Sequence, residues 1–95
     1  MTHELDEKFI GTGEIKGMVF KMLTQNDHSF LWQVINGDSV HYEVWLKKTN
    51  PVCIDFENRI YSETEFKYRK PKAKDFGIWA WSFTNNQKAL KKFLI

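Results

Sequence analysis

The chain predicts an α+β fold, a twisted antiparallel sheet of four to six strands with one C-terminal helix packed on it. Three features carry this. Segments through the middle alternate with period two, turn-forming residues separate them, and the C-terminal residues switch to helical spacing.

The strands come first. In KGMVFKMLT, Met18, Phe20 and Met22 share one face and Val19 and Leu23 the other. In SFLWQVI, Phe30, Trp32 and Val34 alternate with Leu31, Gln33 and Ile35. VHYEVWL sets Val40, Tyr42, Val44 and Leu46 against His41, Glu43 and Trp45. GIWAWSF sets Trp79, Trp81 and Phe83 on one side and Ile78, Ala80 and Ser82 on the other. Asn36-Gly37 is a hairpin signal. A three-residue loop Ile35-Asn36-Gly37 matches apolar residues better than a two-residue one, since it pairs Trp32 with Val40 and Phe30 with Tyr42. Residues 49–76 are less regular. Val52, Ile54 and Phe56 suggest one short strand, and Phe66 and Tyr68 an edge strand that Pro71 ends. Thr84 and Gln87 fit a capping box, after which Ala89, Leu90, Phe93 and Leu94 line one helical face. Lys88, Lys91 and Lys92 take the other.

Ninety-five residues make a single domain, 1–95, with residues 1–8 as a candidate flexible N-terminus. Sixteen per cent aromatic residues supply enough burial to oppose ordering entropy, which excludes a disordered chain. The net charge of +2 does not by itself call for a polyanionic partner. Its distribution is uneven, acidic over the first fourteen residues and basic over 67–74 and 88–92. One cysteine, Cys53, rules out an intrachain disulfide and a cysteine-rich zinc site. The acidic N-terminus lacks the apolar stretch of a signal peptide, and no run has the length of a membrane helix, so a cytoplasmic protein with no membrane partner is expected.

Few residues suggest chemistry. GTGEIKG (11–17) departs from a phosphate-binding loop, because Met18 follows Gly17 and a strand follows the glycines. Its glycines are read as a bend at the start of the sheet. His3, His28, His41 and Cys53 lack metal-ligand spacing, so neither metal nor cofactor is expected. The basic stretch KYRKPKAK reads as an edge strand and solvated loop running into a core strand.

The layout of FIGTGEIKG (9–17), HYEVW (41–45) and FGIWAWSF (76–83) before a KAL–KF helix resembles small uncharacterised single-domain proteins of bacterial genomes, phages and other mobile elements. The resemblance brings no catalytic residues with it.

Apolar residues on both sheet faces exceed what one helix can cover. Either the sheet curls into a half-barrel or one face meets a partner. The leading expectation is a non-enzymatic binding module that uses Trp45, Leu31, Ile35 and Val19, with Trp79 and Trp81 as alternates, against a protein partner or a second copy. The alternative is a nucleic-acid-binding accessory protein that uses Lys67, Arg69, Lys70, Lys72 and Lys74, extended by Lys88, Lys91 and Lys92. A third is a small hydrolase or nuclease built on His28 and His41.

Overall fold

The computed structural model describes residues 2–95, apart from the side chain of Glu14. In chain order the elements are β1 (Thr2–His3), β2 (Lys8–Ile10), β3 (Val19–Gln25), β4 (Ser29–Asn36), β5 (Ser39–Leu46), β6 (Thr49–Asp55), β7 (Ile60–Tyr68), β8 (Ala80–Phe83) and α1 (Asn86–Leu94), with single 3₁₀ turns at Gly13–Ile15 and Ala73–Asp75. The fold is α+β as expected, with more strands than expected, in two sheets. Five strands run β2-β3-β4-β5-β8, all antiparallel, and three run β1-β7-β6, where β1 lies parallel to β7. Neither sheet closes. The described part of the N-terminal segment takes part in both, through Thr2 opposite Phe66 and Phe9 opposite Phe20.

The β4–β5 hairpin departs from both loops weighed from sequence. Asn36 pairs with Ser39, which leaves Gly37-Asp38 as a two-residue loop. Gly37 has φ +60 while Asp38 stays at negative φ. This is the type II′ arrangement, whose first central position wants glycine and whose twist matches the strands. The shift moves every pair. Trp32 now faces Glu43 rather than Val40, and Phe30 faces Trp45 rather than Tyr42.

That register sorts the apolar residues into two cores. On one face of the five-stranded sheet lie Phe20, Phe30, Trp32, Val34 and Trp45, all buried. The N-terminal segment covers them with Leu5, Phe9 and Ile15, and the end of β7 and the chain that follows with Tyr68, Phe76 and Trp79. Phe9 stacks on Phe20 at 4.8 Å and 4°. On the opposite face, α1 sets Ala89 and Phe93 over Leu31 and Val44, flanked by Tyr42, Trp81 and Phe83. Trp79 and Trp81 therefore sit on opposite faces. The Trp79 N–H and that of Ile78 both donate to the Asp75 carbonyl, so a turn carries Trp79 and β8 begins one residue later. The helix cap also moves by one residue, since Asn85 rather than Thr84 accepts from the Gln87 and Lys88 N–H groups.

Glu43 is the unexpected core residue, 5% exposed on the aromatic face. Its Oε1 accepts from Trp45 Nε1 at 2.9 Å, and its Oε2 lies 2.7 Å from His41 Nε2. A buried carboxylate persists when both oxygens are partnered. The Trp32 indole N–H, opposite Glu43 in register, is buried with no acceptor among the described residues.

Replacing Glu43 with Ala strands a second buried indole N–H and should cost about 1–3 kcal/mol in urea denaturation. Glu43→Gln retains an acceptor for Trp45 and should cost less. Equal losses for the two variants would mean that the carboxylate is not what holds Trp45.

Candidate functional site

The structure separates the sequence-derived interface candidates. Trp45, Leu31 and Trp79 are buried in the chain's own cores, so their side chains are not available to a partner in this fold. Trp81 is half-buried beside the helix, with the Lys92 ammonium 3.9 Å over its ring. Val19 and Ile35 are different. They form the middle of a cross-strand row, Ile10–Val19–Ile35–Val40, on the helix face but beyond the residues that α1 covers. Ile10 is 67% exposed and Val40 45%.

The basic residues divide as well. Lys67, Arg69, Lys70 and Lys72 line one groove of about 540 Å³, together with His3, Glu4 and Asn50. Lys74 is exposed but does not line it. The helix lysines cannot extend it, because α1 packs on the opposite face of the five-stranded sheet. At one end, Lys67 and Asn50 also border a neighbouring cleft with Tyr61 and Cys53. At the other end, Lys70 and Lys72 border a cleft of about 430 Å³ against Phe9 and the Gly11–Thr12–Gly13 loop. The three hollows thus share cations and form one track from the β6–β7 arm to the glycine loop.

Local physics holds this track in shape. The segment read as a solvated loop is tied down instead. Pro71 and Asp75 are buried, and the Asp75 carboxylate accepts from the Lys72 backbone N–H at 2.8 Å. The Arg69 N–H donates to the Lys48 carbonyl at 2.7 Å. Two cations lie on aromatic faces, Lys70 Nζ 3.9 Å over Phe9 and the Arg69 guanidinium 5.4 Å over Trp79. Each contact contributes about 0.5–1 kcal/mol at exposed sites. It also limits the rotamers that the cation must give up on binding an anion.

Sequence reasoning missed Phe9, Tyr61 and the return of the glycine loop to the basic segment. The antiparallel pairing of β2 with β3, which sets Phe9 opposite Phe20, emerges only from the structure. His28 and His41 do not share a site. His28 is exposed near the β4 N-terminus, where its carbonyl accepts from the Lys47 N–H, while His41 lies near the Gly37 turn at the other end of the hairpin. Among the described residues no three His, Cys, Asp or Glu side chains could hold a metal ion, and Cys53 is a free, half-buried thiol. No helix is long and apolar enough to cross a membrane. No family model, characterised protein or solved structure matches the chain.

Tyr68, on the groove wall, is pushed above its ordinary pKa of 10.0, first by burial and then by the negative charge of Glu4. A raised folded value means that its stabilising contribution is complete below pH 10 and lost as the pH climbs through that value. Phenolate absorbance should therefore show one tyrosine titrating late, and Tyr68→Phe should remove that phase. Glu4→Gln should bring it partly back toward 10. A late phase that survives Tyr68→Phe would belong to another residue.

Proposed function

We propose that the chain binds single-stranded nucleic acid along the basic groove. The observation that supports this most is the gathering of Lys67, Arg69, Lys70 and Lys72 on one groove against a single carboxylate, Glu4. Single-strand binders combine a cationic track for the backbone with ring faces for the bases. Tyr61 supplies a ring at the arm end, 52% exposed. The groove recognises charge and shape, so its binding is sequence-tolerant.

Four phosphate contacts imply a slope of log K against log salt of about −2.8 for a single strand, and hence roughly 50-fold weaker binding between about 50 and 200 mM salt. Fluorescence anisotropy with a labelled oligonucleotide measures this. Lys67→Ala should weaken binding and flatten the slope by about 0.7, whereas the Lys88→Ala/Lys91→Ala double variant should leave both unchanged. Salt-independent binding, or equal damage from the helix variant, would rule the groove out.

A second reading, self-association, is favoured by the uncovered row of Ile10, Val19, Ile35 and Val40. Here a second copy buries the row. Light scattering across a concentration series should then give a dimer that persists at high salt and is lost in Ile10→Glu. A monomer throughout would eliminate this reading.

A further inference from the structure

We infer that the cleft at the glycine-loop end of the groove takes the terminal phosphate of a bound strand, a phosphate monoester dianion. The inference rests on the strand-binding reading and adds where the strand ends. Lys70 and Lys72 stand on one side of the cleft and Gly11, Thr12 and Gly13 on the other, while Phe9, Ile15 and Pro71 make apolar walls. The central part of the groove has Glu4 among its lining residues, but no described carboxylate lines this cleft. Its two lysines therefore face no described carboxylate across the cleft, which suits the more highly charged group of a strand, its terminal phosphate. The Lys70 ammonium is already held 3.9 Å over the Phe9 ring, and Phe9 is itself fixed against Phe20. A cation placed before the ligand arrives gives up little freedom on binding.

The loop wall is shaped by its glycines. A Cβ at Gly11 would run into the Ile15 carbonyl oxygen and side chain, so the close return of the loop depends on glycine there. Gly13 has open space around it and a left-handed backbone at φ +64. Thr12 is exposed at the cleft, with a hydroxyl that can donate to a phosphate oxygen. The loop is not a nucleotide-binding motif by sequence. It connects β2 to β3, and Lys70 over Phe9 brings the basic segment beside it.

Gly13 also provides the test, because it lines this cleft and not the central groove. Asp and Asn both tolerate a left-handed backbone, so Gly13→Asp adds a charge and Gly13→Asn is its neutral control. One oligonucleotide is prepared with a 5′-phosphate, a 3′-phosphate or neither. One of the phosphorylated ends should bind about tenfold more tightly than the hydroxyl-ended strand, the increment expected of charge-assisted hydrogen bonds. Gly13→Asp should abolish that preference, so that the three strands bind it alike, while Gly13→Asn retains it. Inorganic phosphate separates a strand end from a free anion. Displacement only far above the oligonucleotide Kd supports the strand end, and displacement at equal concentration overturns it in favour of free phosphate. Equal binding of all three strands, or a preference that survives Gly13→Asp, overturns the end site alone. No binding of any strand overturns the groove reading itself.

Discussion

The register of β4 against β5 is the constraint on which the rest of the molecule depends. A left-handed Gly37 places the turn at Gly37-Asp38, and a slip of one residue would exchange the two faces of β5. With the turn there, Trp45 joins Phe30 and Trp32, and Val44 joins Leu31 beneath the helix. β4 is the central strand and is buried on both sides, so its two faces seed two separate cores. Each needs its own cover. The helix serves one face, and the N-terminal segment together with the β7–β8 connection serves the other.

That division of labour positions the groove. From Tyr68 at the end of β7 the chain must cross the aromatic face to reach β8, and it lays Phe76 and Trp79 against the core beside Tyr68 as it goes. The intervening residues are the basic ones. Their side chains have nowhere to go but outward or onto the rims of buried rings, as Arg69 and Lys70 do. The N-terminal segment covers the same face with Leu5 and Phe9. The groove forms where these two coverings meet. Burying the core and gathering the cations are thus one structural event.

Alternation and turn chemistry made the antiparallel sheet and the final helix legible in the sequence. They failed wherever a single residue decided between near-equal alternatives. Asn36-Gly37 signals a hairpin and the apolar pattern favours a three-residue loop Ile35-Asn36-Gly37, but the turn lies at Gly37-Asp38 with glycine in its first central position, and every cross-strand partner moved. Glu43 shares its side of the strand with His41 and Trp45 in the sequence pattern, and that alternation does not mark it as a core residue. Only the true register shows that its face is the buried one. Trp79 was assigned by counting from Trp81, across a turn that breaks the alternation. Of the candidate site, the basic residues were visible as a charge run. Their gathering into one groove, and the glycine loop opposite, depend on contacts between distant parts of the chain, which local spacing does not encode.

The β6–β7 arm gives the groove a further property. β6 pairs with β7 alone, and β1 adds only the pairs Thr2–Phe66 and His3–Lys67. Its far end shows Ile54, Phe56 and Ile60 to solvent, with Phe56 85% exposed. Two strands with so little burial open locally at lower free energy than the five-stranded sheet. Asn50 and Lys67 on the groove wall belong to that weaker unit, whereas Lys70 and Lys72 sit on chain anchored to the aromatic core. An occupant lying across both would join two folding units that are otherwise loosely coupled. Part of its binding energy would go into suppressing the opening of the arm, and its release would begin there.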